Sequence, residues 1–159
     1  MAQWNSYQDI RRRVLFEYRG RFGVYNANYP EEHRSGHYPC LLLLRGRTVG
    51  TIRIDVSGHA ATFRGVAIDS KCQGQGHGCV LLAMAEAFSI SKGCTEVFSH
   101  VAPDAVGFYE KCGFRGAGND RWIAGESVRM KKPLGMAVLG IASTYRISGR
   151  ARSQPTYYS

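Results

Sequence analysis

Long apolar runs are missing from this chain: the longest, Met136 to Ala142, is interrupted by Gly140 and falls far short of the ~20 residues that span a bilayer. The stretch Met1 to Arg13 is polar and then charged, with no apolar segment ahead of a small-residue cleavage site, so the expected location is the cytoplasm. Five cysteines (Cys40, Cys72, Cys79, Cys94, Cys112) include no C-x-x-C pair and leave one over; that spacing excludes a disulfide framework and a structural zinc site. With 5 prolines and 19 glycines in 159 residues, neither a collagen-like nor a proline-rich chain is possible. Acidic residues are the scarce charge, 12 against 21 Lys+Arg, for a net charge of +9. Such an excess calls for a polyanionic partner: nucleic acid, an acidic membrane surface and a phosphorylated cofactor fit it equally.

What is present is an ordinary globular composition, 44% hydrophobic and 11% aromatic, at a length that makes one domain. Tyr7, Ile10, Val14, Leu15 and Tyr18 fall at helical spacing, which predicts an amphipathic helix from Tyr7 to Tyr18 with Asn5 or Ser6 as N-cap and Gly20 as its stop. A loop rich in His, Pro and Gly follows from Asn26 to Tyr38. The run Cys40 to Leu44 reads as a buried strand, Thr51 to Val56 alternates with Ile52, Ile54 and Val56 on one face, and Ala61 to Ile68 completes three antiparallel strands. Then come a helix over Val80 to Phe88, a strand over Thr95 to Ser99, a helix over Asp104 to Cys112 capped by Gly113, and a strand from Ser127 to Lys131 that stops at Pro133. This order gives a mixed α/β (α+β) sheet whose middle strand-helix-strand unit is a parallel crossover.

The densest signal is Val66 to Leu82, where a strand enters a loop with alternate glycines, Gln73-Gly74-Gln75-Gly76-His77-Gly78-Cys79, and the loop opens a helix. Glycines let successive amides converge, and a helix N-terminus adds unsatisfied N–H groups and positive potential, so the segment is an anion cradle. A P-loop is excluded because no Lys-Ser or Lys-Thr follows the glycines. A dinucleotide fingerprint is excluded because its third glycine position is Cys79 and Phe98 stands where an acid should meet the ribose.

The spacing Gln-x-x-Gly-x-Gly after Val-Ala-Ile-Asp resembles the acetyl-CoA loop of the GNAT superfamily of N-acetyltransferases. Phe108-Tyr109-Glu110-Lys111-Cys112-Gly113-Phe114 is similar to the family's second recurrent block, and Val128 to Leu134 to its closing strand. The resemblance covers roughly Tyr38 to Leu134. It implies a central, mostly antiparallel mixed sheet, flanked by helices, with a V-shaped splay between two parallel strands. It further implies that amides from Gln73 to Cys79 (Gln73, Gly74, Gln75, Gly76, His77, Gly78, Cys79) hold the pyrophosphate of acetyl-CoA, with a basic mouth of Lys71, His77 and Lys111. Backbone groups of Val66, Ala67 and Ile68 would pair with the pantetheine arm.

Transfer of acetyl to a primary amine needs a base for the ammonium and an acid for the departing thiolate. The resemblance assigns the acid to Tyr109. The family's glutamate position is Val97 here, with Glu96 on the opposite face, which leaves His100 as the expected base; a water-mediated route through Asp69, or no dedicated base, are the alternatives. Ala102 replaces an asparagine that contacts the cofactor in other members. No metal is expected, since His33 and His37 lie in a Pro- and Gly-containing loop. Trp4, Trp122 and the tyrosines from Tyr25 to Tyr38 are expected on the acceptor side.

The function expected is acetyl transfer to a small-molecule amine. Alternatives are a protein N-terminal or lysine acetyltransferase, a non-catalytic acyl-CoA-binding module, and a nucleic-acid-binding module using Arg11, Arg12, Arg13, Arg19, Arg21, Arg146, Arg150 and Arg152. The acetyltransferase domain is placed at 1–134. Residues 135–159 form an extension in which Met136 to Ala142 is a candidate homodimer contact and Ser148 to Ser159 is expected to be loosely ordered.

Overall fold

The computed structural model describes residues 2–118, 127–135, 144–150 and 155–158. Helix α1 covers Ala2–Arg11 and continues through a widened π turn, Arg12–Phe16, and a 3-10 turn, Glu17–Arg19. It ends as expected at Gly20, which takes a left-handed φ of 74° open to glycine at little cost. Its start is earlier than expected: Ser6 lies inside the helix and donates to the Ala2 carbonyl at 3.1 Å instead of capping. The widened turn sets Arg12 and Arg13 side by side on Asp9, at 2.7 and 2.9 Å.

The strands follow the sequence closely: β1 (His37–Leu44), β2 (Arg47–Ser57) and β3 (Ala60–Ile68) form consecutive antiparallel hairpins. Helix α2 (His77–Ser91) crosses to β4 (Glu96–Val101), which lies parallel to β3. Helix α3 (Val106–Lys111) leads through Gly113 to the short β5 (Arg115–Gly116), and β6 (Val128–Pro133) lies antiparallel between β5 and β4. The two strands β7 (Tyr145–Arg150) and β8 (Pro155–Tyr158) complete one sheet in the order β5-β6-β4-β3-β2-β1-β7-β8.

Thus the segment expected to be loosely ordered after Ser148 contains paired strand: β7 runs antiparallel along β1 and β8 along β7. The reason lies in β1, whose Leu41, Leu42 and Leu43 are buried on both faces of the sheet; a strand of that kind needs partners on both edges. Met136 to Ala142, the candidate dimer contact, lies outside the described residues.

Two unlike layers cover the sheet. On one side α2 and α3 pack on Leu42, Ile52, Ile54, Phe63, Val97, Met130 and Ile147, with Leu81, Leu82 and Phe88 facing them. On the other, α1 contributes Tyr7 to a small cluster with Leu41 and Leu43, backed by Trp4, and beside it lie Ile10 and the buried charged residues Arg11, Glu32 and Arg53.

Candidate active site

The parallel pairing of β3 with β4 runs only from Ala60↔Glu96 to Phe63↔Ser99. At that level β3 carries one extra residue against β2, the register shifting between Thr51 and Arg53. Gly65 turns the bulge with a φ of 58°, and a Cβ there would collide with the Arg11 guanidinium. A bulge bends its strand and increases local twist, so β3 leaves β4 beyond Phe63. Val66, Ala67 and Ile68 then lie past the last pair on the β4 side, where the sequence places a cofactor-facing edge. The Ile68 carbonyl is already engaged there by the Gln73 side-chain amide at 3.0 Å.

From this edge the chain enters the glycine loop. Asp69 caps a 3-10 turn, Ser70–Cys72, by accepting from the Lys71 amide, and α2 begins after Gly76. The three glycines serve two purposes. Gly74 and Gly76 have φ of 72° and 84°, a left-handed backbone that orients the loop amides. Gly78 is helical, and it is needed for closeness: a Cβ there would lie 2.8 Å from the Phe108 ring of α3. No side chain caps α2, so the first-turn amides of His77, Gly78 and Cys79 are presented outward, as an anion-binding helix start requires.

His77 differs from expectation in its side chain. The imidazole is buried, and its Nδ1 lies 2.8 Å from the Tyr145 hydroxyl of β7. Its ring therefore does not join the expected basic mouth; Lys71 and Lys111, also expected there, are exposed.

Tyr109 is on the α2/α3 side, 6% exposed, with its ring edge-on to Phe108 and Phe114. Burial pushes its phenol above the ordinary value, the Ser99 hydroxyl hydrogen-bonded to it opposes the rise, and Cys112 adds to it. Ser99 also donates to the Phe63 carbonyl at 3.2 Å, so the phenol is tied to the last β3–β4 pair before the strands part. Ser99 was not singled out from sequence. Its signal was there in β4, where one hydroxyl interrupts the buried face Val97, Ser99, Val101.

His100, next along β4, is exposed on the opposite face and paired in register with Arg129. The structure thus sets Ser99, the partner of Tyr109, and His100 on successive positions of β4, on its two faces, beside the splay. Val97 is fully buried in the core, and Ala102 precedes the short turn Pro103–Ala105. Asp69 is held by Arg13 at 3.3 Å. Burial raises its carboxyl, but Arg13 and the Lys71 amide outweigh that and keep it below the ordinary carboxylate range, which makes it a weak base.

Across the α1 face runs a buried ionic network. Glu32 accepts from the Tyr7 hydroxyl at 2.7 Å and pairs with Arg11 at 2.9 Å and Arg53 at 3.0 Å. Arg53 also grips Asp55 through two bonds, at 2.7 and 2.9 Å, and Arg64 joins Asp55 at 3.0 Å. Tyr25 bonds to Gln8, whose amide donates to the Ala27 carbonyl at 3.1 Å, so the loop after α1 is fastened down over the sheet. Trp4 stacks on Tyr7 with centroids 5.1 Å apart; Trp122 lies outside the described residues. Four of the eight arginines that first invited a nucleic-acid reading form internal ion pairs: Arg11 with Glu32, Arg12 with Asp9 and Glu17, Arg13 with Asp9 and Asp69, and Arg19 with Asp104.

No described helix is long and apolar enough to cross a membrane. Among solved structures, an assigned N-acetyltransferase from Lactobacillus plantarum is 26% identical and superposes with a TM-score of 0.68 over 84% of this chain and 92% of that one. The ribosomal-protein-S18-alanine N-acetyltransferase from Escherichia coli is 20% identical, with a TM-score of 0.66 over 89% of this chain and 94% of that one. The spermidine N-acetyltransferase from Vibrio cholerae, in complex with CoA and spermine, is 19% identical, with a TM-score of 0.64 over 84% and 90%. The sequence profile of the Acetyltransferase (GNAT) family matches residues 4–114, a span that holds the splay, the glycine loop and Tyr109, and the chain belongs to that family.

Proposed function

We propose that this protein is an N-acetyltransferase that moves the acetyl group of acetyl-CoA to a primary amine of a small molecule by direct attack. Acetyl-CoA is the co-substrate of the family, and the residues present fit it: an uncapped helix start after Gly76 for the pyrophosphate and, for the pantetheine arm, the β3 edge from Val66 to Ile68, which lies past the last pair with β4 and whose Ile68 carbonyl the Gln73 side chain holds. The basic surplus that first pointed to any polyanion is met by a phosphorylated co-substrate.

The observation that carries the reading is that Tyr109 of α3, against Ser99, and His100 lie on opposite sides of β4 at the splay. Acyl transfer needs a base on the side from which the amine arrives and an acid at the leaving sulfur. His100, on the α1 side with the fastened loop, takes the ammonium proton. Backbone amides of the bulged β3 edge face the carbonyl and hold the oxyanion as the tetrahedral centre forms. Tyr109 then gives its proton to the departing thiolate, and burial keeps that phenol protonated at neutral pH. The anchoring of residues 17–36 across the α1 face through Glu32, Tyr25 and Gln8 makes a walled acceptor side, which favours a compact amine over an extended peptide.

We place the enzyme in the cytoplasm and expect a homodimer; light scattering that returns the mass of a single chain removes the dimer. Calorimetry with acetyl-CoA, followed by thiol release over a panel of amines, tests the function. Binding of acetyl-CoA together with amine-dependent thiol release is the expected result. Failure to bind any form of CoA overturns the reading, and release with peptides but not with small amines moves the acceptor to protein.

A further inference from the structure

The Sγ atoms of Cys79 and Cys112 lie 3.2 Å apart, on two elements separated by more than thirty residues of chain. Cys79 is in the first turn of α2 and is exposed; Cys112 follows α3 and is half-buried. Their contact is held from both sides. Gly78 brings the α2 backbone onto the Phe108 ring, while the Lys132 ammonium donates to the Cys112 carbonyl at 2.8 Å and pairs with the buried Glu86 at 2.8 Å. A disulfide needs the sulfurs to close further, to roughly 2.05 Å. Cys40 and Cys94 are buried elsewhere, and Cys72 packs against the main core.

We propose that Cys79 and Cys112 are a redox modification site that forms an internal disulfide with a low-molecular-weight disulfide of the glutathione type, and that this bond weakens the grip of the glycine loop on CoA. The second half rests on the cofactor reading above. In the first step the Cys79 thiolate attacks one sulfur of the oxidant, forming a mixed disulfide and expelling one thiolate, which takes up a proton. In the second, Cys112 loses its proton to solvent, its sulfur attacks Sγ of Cys79, and the second thiol departs. Two protein thiols are oxidised, and one external disulfide is reduced to two thiols.

The groups facing Cys112 are Cys79 and Glu86 of α2 and Lys132 of β6. Burial pushes its thiol up to about 12, with Cys79 and Glu86 adding to the rise and Lys132 opposing it. Closure is therefore the slow step at neutral pH, and it accelerates as pH rises. Once formed, the bond draws the Cys79 amide, one of the outward-facing donors of the loop, toward α3. Loss of one amide contact to a charged phosphate corresponds to about a tenfold fall in affinity.

The test incubates the whole protein with oxidised glutathione at several ratios to the reduced form and maps peptides without reduction. The expected product is a single Cys79–Cys112 link with the loss of two hydrogens, reversed by dithiothreitol, absent from Cys79→Ser and Cys112→Ser and retained in Cys72→Ser. Glutathione held on Cys79 with no internal link, or a link through Cys72, overturns the site. Calorimetry with CoA should show about tenfold weaker binding after oxidation of the wild type and no change on the same treatment for the double variant Cys79→Ser with Cys112→Ser, which has no sulfur at the site to hold glutathione. Equal affinities before and after oxidation overturn the coupling. If neither form binds CoA, the cofactor reading falls and takes the coupling with it, while the peptide map still decides whether the disulfide forms.

Discussion

The two faces of the sheet are built by opposite means. The α2/α3 face is packed almost entirely with aliphatic and aromatic side chains, and Tyr109 lies among them hydrogen-bonded to Ser99. The α1 face is built on Tyr7, Arg11, Glu32, Arg53 and Asp55, which bond to one another at 2.7 to 3.0 Å. An apolar face tolerates small shifts, because burial is non-directional. A charged face permits only the arrangement in which every group is paired. The fold thus puts its adaptable layer beneath the cofactor helices and its directional layer beneath the acceptor side. The directional layer also braces the bulge, since Arg11 lies against Gly65.

The largest test of this contrast is Glu32→Ala. It leaves Arg11 and Arg53 buried without their shared partner, and such losses cost about 3–5 kcal/mol; urea unfolding should show it. A Leu81→Ala change on the other face costs a similar amount, ~2–5 kcal/mol, through an apolar cavity. The mechanisms separate in a triple replacement. Arg11, Glu32 and Arg53 changed together to Met, Leu and Met should lose less stability than Glu32→Ala alone, while turnover falls because the bulge loses its brace. A triple variant less stable than the single one contradicts the assignment of Glu32 as the keystone.

Tyr109→Phe comes next, with kcat down about 10²–10³-fold and CoA affinity held. Burial raises the phenol, so the proton is present up to and beyond the ordinary tyrosine value near 10. The same sign governs stability: the neutral buried phenol favours the fold fully below that value, and the contribution is lost as pH rises through the higher folded one. An alkaline limb near pH 8 that vanishes in Tyr109→Phe would contradict this placement. His100→Gln should lower the rate by about 10² and flatten the acid limb of the pH profile. A rate unchanged at every pH returns His100 to a surface role and leaves the amine to lose its proton to water.

Much of this was legible in the residues. Strand and helix order followed from the period of Ile52, Ile54 and Val56 and from the glycine stops, and the loop was readable because Gly74 and Gly76 have a local task that spacing reveals. What escaped were long-range pairings of ordinary residues. Arg11 and Arg13 look like part of a basic patch until Glu32 and Asp69 are brought to them, and only the tertiary fold does that. Gly65, a lone glycine inside a strand, carried the signal of a bulge and was passed over in favour of the denser loop. The Ser148 to Ser159 stretch reads as polar tail because its strands gain stability from the open edge of β1, a property of the sheet and absent from their own composition.

The smallest effect concerns that same edge. Tyr145 stands at the start of β7, and its hydroxyl meets Nδ1 of His77 in the first turn of α2 at 2.8 Å. His77 is buried, so Tyr145→Phe leaves an imidazole nitrogen unpaired, at a cost of ~1–3 kcal/mol. If β7 only covers the edge of β1, that cost appears wholly as lost stability. If it also fixes the start of α2, part of it reaches the loop amides, and CoA binding weakens about three- to tenfold with kcat unchanged. Ser148→Ala is the matched control, because Ser148 points to the other face and bonds to Gln3 of α1 at 3.1 Å; it should lower stability slightly and leave CoA affinity alone. Calorimetry on the two variants separates a β7 that seals the sheet from one that also aims the helix, and equal CoA affinities would assign it to sealing alone.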